Sequence, residues 1–323
     1  KWPVQSTAKG VHWKDTREIT MVSVPSAGRV QQHISAIASG FLGDWLEHRG
    51  NALAVPMTVF ADGEPLDLLN PRPAAPGSVL CLSIHGLMEL ESVWDFPGQP
   101  GEHYGSRLAE RLGNASALKL RFNSGRPIYR NGQDLAALLE RLVSNWPVPV
   151  TRLVLLGHSM GGLLIRSACH YGAENDDSWV RLNPDCVYIG SPHDGSWLAV
   201  GAHKAAGWLN RVPRDYLKVV GEVIDLRSEG IRNLSRGEVF EPGTAHQPLL
   251  AGARHYVISG LLARGEEHLV NALFGDALVH EASARGARQP GWQLTGTANF
   301  PGVDHIRLAH HSAVARQLEE WLG

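Results

Sequence analysis

Residues 152–162, Arg-Leu-Val-Leu-Leu-Gly-His-Ser-Met-Gly-Gly, lead from an apolar run straight into a serine flanked by glycines. The run has the composition of a buried strand, and residues 163–170 have that of a helix. A chain that passes from strand to helix at Ser159 must turn sharply there, and a side chain at Gly157 or Gly161 would have no room. The sequence therefore predicts a strand–turn–helix unit that lifts the Ser159 hydroxyl above the end of the strand.

Strand-length apolar runs and helical periodicities alternate on both sides of this unit. Further strands are predicted at Ser78–Ile84, Ala117–Phe122, Cys186–Ile189, Arg254–Ser259 and Trp292–Thr295. Tyr104, Leu108 and Leu112 share one face of a helix, and Asn131 is predicted to cap the next helix. This order predicts an α/β fold with a mostly parallel central sheet, helices on both faces, and a functional crevice at the carboxyl ends of the strands.

Three segments fall outside this alternation. Residues 1–50 are predicted to form an N-terminal helical extension, because their apolar residues from Val30 to Trp45 follow helical spacing. Residues 52–69 favour an antiparallel hairpin with a turn at Asp62-Gly63. Residues 196–250 are too many for a simple connection and are predicted to form a helical cap or lid. The α/β core then comprises residues 51–195 and 251–323.

Composition excludes several classes of protein. Of the 323 residues, 43% are hydrophobic and 19% charged, which favours a soluble globular protein over a disordered chain. The formal net charge is −2 and no basic track is present, so we expect no nucleic-acid partner. The longest uncharged apolar stretch, Leu153–Ile165, is too short to span a bilayer. No basic-then-apolar leader follows Lys1, which favours the cytoplasm over secretion.

Four short segments within residues 78–322 carry reactive side chains at the ends of predicted strands or beyond them. They are Ile84-His-Gly-Leu87, Gly157–Gly161, Ile189-Gly-Ser-Pro-His193 and Gly275-Asp-Ala-Leu-Val279. Together they resemble the signatures of the α/β-hydrolase superfamily, and within it the bacterial lipases and esterases. In that order, the segments are similar to the His-Gly segment, the Gly-x-Ser-x-Gly turn, the Thr-Pro-His segment and the Gly-Asp-Gly-Leu-Val stretch that carries the acid.

The resemblance implies a role for five residues. A serine hydroxyl alone is a weak nucleophile at neutral pH and needs a base and an orienting carboxylate. By resemblance, Ser159 is the nucleophile, His305 after the last predicted strand is the base, and Asp276 is the acid. The backbone N–H groups of Leu87 and Met160 are implied to form an oxyanion hole, which stabilises the charge that develops on the substrate oxygen.

Two of these roles have alternative candidates. Asp194 follows another predicted strand and is a second candidate for the acid. His310 and His311 are close to His305, but they are predicted to lie in the first turns of the terminal helix and to face solvent in part.

No histidine or cysteine spacing is typical of a metal site, and Arg307 stands where one lipase subgroup has a calcium-binding aspartate. We therefore expect no metal and no cofactor.

We expect a serine hydrolase that cleaves carboxylic esters through an acyl-enzyme intermediate. Its expected partner is a small-molecule or lipid ester, without a nucleic acid or a membrane-spanning segment. A thioesterase or an amidase would use the same residues. A catalytically silent α/β-hydrolase fold that serves as a binding module is the alternative from a different class.

Overall fold

The computed structural model describes residues 56–99, 101–193, 233, 238–244, 247–261 and 292–323. The strands in these ranges are β1 (Thr58–Ala61), β2 (Glu64–Pro65), β3 (Val79–Ile84), β4 (Ala115–Arg121), β5 (Arg152–His158), β6 (Asp185–Ile189), β7 (Arg254–Leu261) and β8 (Gly296–Pro301). The α-helices in the same ranges are α1 (Tyr104–Leu112), α2 (Ile128–Asn145), α3 (Met160–Glu174) and α4 (Ser312–Leu322). The strands form one sheet in the order β2-β1-β4-β3-β5-β6-β7-β8.

The sheet is parallel except at one edge. β3 to β8 all run in the same direction, whereas β1 pairs antiparallel with both β2 and β4. This confirms the predicted α/β fold with a mostly parallel central sheet. Because parallel strands end at the same edge, the loops after β3, β5, β6 and β8 meet there.

Apolar side chains fill both faces of the sheet. Along β5, Leu153 and Leu155 pack in the layer that contains α2 and α3, whereas Val154 and Leu156 pack in the layer that contains α1 and α4. This alternation follows from the two-residue period of a strand. The central strands are apolar throughout because helices cover them on both sides. Two packed layers thus hold the carboxyl edge of the sheet in place.

The hairpin predicted for residues 52–69 forms, with shorter strands than expected. Asp62 and Gly63 turn the chain between β1 and β2 with φ angles of 52° and 83°. Positive φ at both central residues is what a type I′ hairpin turn requires. β2 contains Pro65, which has no N–H to donate, and it lies at the edge of the sheet.

The predicted start of α2 is wrong. The helix begins at Ile128, directly after Pro127, and not at a cap formed by Asn131. Pro127 has no side chain that could cap the helix, and the N–H of Ile128 instead donates to the side-chain oxygen of Asn233 at 3.3 Å. Asn131 is buried inside that first turn, where its Nδ2 donates to the carbonyl oxygen of Asn123 at 2.8 Å. Its side chain therefore holds the loop after β4.

The last strand also lies later than predicted. It spans Gly296–Pro301 and not Trp292–Thr295, because the pairing with β7 begins where Gly296 lies opposite Tyr256. Trp292 instead packs against the guanidinium of Arg166, 4.8 Å from its ring centroid. Trp292 thus packs on α3.

Two predicted segments lie wholly or mostly outside the described residues. They are the extension at 1–50 and the cap at 196–250, of which 233, 238–244 and 247–250 are described. In the described part, the carbonyl of Val239 accepts the hydroxyl of Ser167 at 2.9 Å, and the N–H of Glu241 donates to the hydroxyl of Tyr171 at 3.1 Å. This part of the chain therefore packs on α3. Among the described helices, none is long and apolar enough to cross a membrane.

Candidate active site

Ser159 occupies the sharp turn between β5 and α3. Its backbone has φ 53° and ψ −119°, a conformation that costs free energy for any residue with a side chain. The N–H of Ser159 donates to the carbonyl oxygen of Ile189 at 2.8 Å, and its own carbonyl accepts the N–H of Gly162 at 3.2 Å. These bonds stabilise the turn, and the predicted strand–turn–helix unit is confirmed.

Glycines on both sides of this serine are required by close backbone contacts. A Cβ on Gly157 would lie 2.5 Å from the backbone nitrogen of Gly162, and a Cβ on Gly161 would overlap the carbonyl oxygen of Ile84. Gly162 also has no room for a side chain, because the hydroxyl of Ser191 lies against it. The glycines therefore bring α3 close to the ends of β3 and β6.

The loop after β3 lies beside Ser159. A Cβ on Gly86 would lie 2.9 Å from the Cβ of Ser159. His85, which begins the loop, is fully buried and stacks on Phe122 with ring centroids 4.4 Å apart. Its Nε2 accepts the N–H of Phe122 at 3.2 Å, so Nδ1 carries the proton and donates to the carbonyl oxygen of Gly86 at 2.8 Å. Burial lowers the pKa of His85. The ring is a neutral anchor for the loop.

Two side chains hold the backbone of this loop. Glu89 Oε2 accepts the N–H of Gly86 at 2.6 Å, and Ser124 Oγ accepts the N–H of Met88 at 3.0 Å. Met88 has a φ of 59°, a conformation that persists only where the surroundings stabilise it. The N–H of Leu87, between these two, donates to no other group in the described part of the chain.

His305 lies between β8 and α4, at the same edge of the sheet. A Cβ on Gly190, just after β6, would lie 3.2 Å from His305 Nδ1. The His305 ring centroid is 4.8 Å from that of His158, the residue before Ser159. Burial and the positive charge of His158 lower the pKa of His305, which favours a neutral ring that can accept a proton. The turn at Ser159, the loop after β3 and His305 therefore meet in one place.

His158 and Glu89 form a buried pair beside His305. His158 Nδ1 lies 2.9 Å from Glu89 Oε2, and His158 Nε2 lies 2.8 Å from the carbonyl oxygen of His305. Neither side chain is more than 7% exposed. Burial alone would lower the pKa of His158 and raise that of Glu89, but their mutual attraction and hydrogen bonding outweigh it in both cases. The pKa of His158 is therefore raised and that of Glu89 lowered, which favours the charged form of the pair.

The candidates for the acid and the alternative bases fall in different places. Asp276 and Asp194 lie outside the described residues, so the acid stays a prediction. His310 and His311 precede α4, and their predicted place within its first turns is wrong because the helix begins only at Ser312. His311 Nδ1 accepts the N–H of Ala313 at 3.3 Å and so caps the helix.

His193, in the Ser-Pro-His segment after β6, is a buried packing residue. Its ring meets the rings of Tyr188 and Trp292 edge-on, with centroids 4.9 Å apart in each case. Its Nδ1 lies 3.4 Å from Nη1 of Arg166. Burial and the nearby guanidinium lower the pKa of His193 well below its usual value. The ring is therefore neutral and joins the segment after β6 to α3.

The sequence analysis missed Glu89 and Ser124. Glu89 stands in the apolar stretch from Leu87 to Leu90, and an ionised group in such a stretch needs a buried partner. The charge of Glu89 could therefore have indicated a buried functional residue. Ser124 had no such feature in the sequence, because it is 36 positions from Met88 and only the pairing of β3 with β4 brings the two together.

Neither a metal centre nor a cysteine nucleophile is supported by the described residues. No group of three or more His, Cys, Asp or Glu side chains among them is arranged to hold a metal ion. Cys81, Cys169 and Cys186 are buried thiols. Burial raises the pKa of Cys81 to about 12, so that thiol is protonated and unreactive at neutral pH.

Comparison with solved structures identifies the fold. The mature form of lipase BlEst2 from Bacillus licheniformis is 20% identical, with 82% of this chain and 97% of that chain covered and a TM-score of 0.52. The propeptide form of the same lipase is 18% identical, with 82% of this chain and 53% of that chain covered and a TM-score of 0.51. No protein-family model and no curated protein sequence matches the chain. The chain has the α/β-hydrolase fold, as the sequence motifs implied.

Proposed function

We propose that the protein is a serine hydrolase that cleaves carboxylic esters, with Ser159 as the nucleophile. The observation that carries the proposal is the strained turn at Ser159, with φ 53°, against which the loop after β3 packs and near which His305 lies. Strained residues of this kind cluster at reactive sites, where the surrounding structure holds them in place. The likeness to a lipase supports an ester as the bond that is cleaved.

In the proposed first half-reaction, His305 accepts the hydroxyl proton of Ser159 while Oγ attacks the ester carbonyl carbon. The carbonyl oxygen gains negative charge in the tetrahedral intermediate. When this intermediate collapses, the bond to the alcohol oxygen breaks, and the alcohol leaves with the proton from His305. The acyl group then stays on Ser159 as an ester.

Two backbone N–H groups are proposed to stabilise the negative oxygen. Met160 is the first residue of α3, so its N–H has no acceptor within the helix. The N–H of Leu87 lies between the anchored N–H groups of Gly86 and Met88. Removal of one such donor typically costs about 3 kcal/mol of transition-state stabilisation. The fixed loop after β3 would therefore matter more than the side chain of Leu87.

The proposed second half-reaction hydrolyses the acyl-enzyme. His305 removes a proton from water, the hydroxide oxygen attacks the acyl carbon, and Ser159 leaves with the proton. Asp276 is proposed to orient His305 and to stabilise its protonated ring, on the strength of its place in the Gly275–Val279 segment. Asp276→Asn should then lower kcat by about 10⁴-fold, as loss of the orienting carboxylate does in a serine protease triad.

The proposal is tested with Ser159→Ala on p-nitrophenyl esters from acetate to palmitate. Loss of the nucleophile is expected to reduce kcat by more than about 10³-fold. A fluorophosphonate probe should label the wild-type protein and not the variant. Ser144→Ala is the matched control, because it removes a hydroxyl from the exposed face of α2.

The outcomes distinguish the candidate functions. Labelling and ester turnover that both require Ser159 support the proposal, and the preferred chain length then separates an esterase from a lipase. Labelling without ester turnover would contradict ester hydrolysis and point to thioester or amide substrates. Neither labelling nor turnover would contradict catalysis altogether and favour a binding module.

A further inference from the structure

We infer that Glu89 and His158 are positioning residues that tie the proposed base, His305, to the loop that carries the proposed oxyanion donor Leu87. The inference rests on the proposed function of Ser159 and adds two residues to it. Neither Glu89 nor His158 is assigned contact with the substrate. They act through the groups that they hold.

A single carboxylate oxygen joins two parts of the site. Glu89 Oε2 accepts the N–H of Gly86 at 2.6 Å and lies 2.9 Å from His158 Nδ1. The first bond shapes the loop that packs against Ser159. The second orients the ring of the residue before the serine. The position of the loop is therefore coupled to the position of the His158 ring.

His158 also forms a hydrogen bond with the proposed base, His305. Its Nε2 lies 2.8 Å from the carbonyl oxygen of His305, and a carbonyl oxygen can only accept. Nδ1 faces a carboxylate oxygen that already accepts another N–H. Bonds to acceptors at both ring nitrogens require two protons, so His158 is an imidazolium. A neutral ring would leave one buried nitrogen facing an acceptor without a proton.

The charge of this pair also acts on His305. The His158 ring lies 4.8 Å from the His305 ring, and its positive charge disfavours a second protonated imidazole before the reaction starts. Glu89 offsets part of that charge when His305 takes the serine proton. In the described part of the chain, Glu89 and His305 are the titratable groups that face His158. The remaining ring neighbour, Trp94, presents an uncharged edge with centroids 6.2 Å apart.

Two substitutions at His158 separate the effect of its hydrogen bond to His305 from the effect of its positive charge. In His158→Gln the amide nitrogen can occupy the place of Nε2 and keep the bond to the carbonyl of His305. In His158→Asn the amide nitrogen can occupy the place of Nδ1 and keep the bond to Glu89 alone. Both substitutions remove the positive charge.

We expect His158→Asn to lower kcat by about 10²-fold with little change in KM, because a small displacement of the base has an effect of this size. His158→Gln should lower kcat by a smaller factor, because it keeps the bond to the carbonyl of His305. Without the neighbouring cation the pKa of His305 rises, so the acidic limb of the kcat/KM profile should move to higher pH in both variants. A merely structural role would lower activity equally at every pH.

Glu89→Gln gives a second, independent readout with a matched control. It should also lower kcat, because the amide oxygen can still accept from Gly86 and His158 but lacks the negative charge that keeps the His158 ring protonated. Glu91→Gln removes a carboxylate two residues away, which pairs with Nε of Arg121 at 2.7 Å. This control should keep the kcat and pH profile of the wild type. Circular dichroism and thermal unfolding establish that each variant is folded.

The inference is overturned if folded His158→Asn and Glu89→Gln keep kcat within about twofold of the control. It is equally overturned if the folded His158 variants lose activity without moving the acidic limb. Should the His158 variants not fold, the kcat of Glu89→Gln relative to that of Glu91→Gln decides. Fluorophosphonate labelling of wild-type Ser159 shows which idea has failed. If Ser159 is labelled and the variants keep their kcat, only the positioning role of Glu89 and His158 is refuted. If Ser159 is not labelled, the proposed function is refuted.

Discussion

Single residues at the carboxyl edge of the sheet have little freedom to change. Ser159 is held at a positive φ, and Gly161 beside it lies against the backbone of β3. The two constraints are related, because the turn at the serine is what brings the start of α3 so close to the neighbouring strand. A side chain at Gly161 would have to displace backbone atoms, which cannot move as a flexible side chain does.

We predict that Gly161→Ala lowers both stability and activity. The new Cβ would overlap the carbonyl oxygen of Ile84, so α3 must shift away from β3 and carry the N–H of Met160 with it. We expect a loss of about 2–4 kcal/mol in the free energy of unfolding, measured by urea denaturation. The same shift should reduce kcat for ester hydrolysis by at least about tenfold.

Gly98→Ala is the control for this prediction. Gly98 has a φ of 76°, and no atom of the described part of the chain lies within 4 Å of the position that an added methyl group would occupy. Its substitution therefore costs only the backbone strain of about 1–2 kcal/mol and should leave kcat unchanged. Equal effects of the two substitutions on kcat would contradict the steric explanation for Gly161.

At the scale of the elements, an ion-pair cluster joins three neighbouring strands at the end of the sheet away from the site. Asp185 begins β6 and is fully buried. Its Oδ2 lies 2.9 Å from Nε of Arg152 in β5 and 2.7 Å from Nη2 of Arg254 in β7. The cluster thus joins β5, β6 and β7 at their amino ends, opposite the carboxyl ends where Ser159 and His305 lie.

We predict that Asp185→Asn lowers the free energy of unfolding by about 1–3 kcal/mol, because two guanidinium groups lose the buried carboxylate charge that they share. Chemical denaturation at neutral pH measures this. Asp176→Asn is the control, since its pair with Arg181 is exposed on both sides and exposed pairs contribute at most about 1 kcal/mol. A loss at Asp185 no larger than at Asp176 would show that the cluster does not stabilise the sheet.

At the scale of the whole molecule, buried neutral histidines make the fold sensitive to acid. Among the described residues, burial lowers the pKa of these six: His85, His103, His193, His255, His305 and His311. For His103 the pKa falls to about 3. Below pH 6.5 the unfolded chain binds protons at these positions and the folded chain does not. The unfolded state therefore gains stability as the pH falls.

We predict that the free energy of unfolding decreases between pH 6.5 and pH 5. Each of these histidines contributes at most about 1.4 kcal/mol per pH unit in this window. His158 has a raised pKa, so it opposes the trend only near pH 6.5 and is protonated in both states at lower pH. Urea denaturation at the two pH values tests the prediction, and an unchanged midpoint and slope would contradict it.

Local patterns were sufficient for the elements near Ser159. Glycines around the serine, an apolar run before it and a helical run after it predicted the turn, because these signals all lie within a few residues of Ser159. Patterns were insufficient where an element boundary depends on a distant partner. Asn131 looked like a helix cap, yet it is buried against Asn123. Trp292 looked like the start of a strand, yet it packs on Arg166.

The sequence by itself determined the α/β class, the order of the central strands along the chain, and the candidates Ser159 and His305. Periodicity and turn chemistry act between near neighbours, so they can be detected in one chain. Only the tertiary structure decided that Glu89 meets His158, 69 positions away, and that His158 meets the carbonyl of His305, a further 147 positions along. These contacts depend on which strands lie side by side, and that order follows from the packing of the whole sheet, which no local pattern encodes.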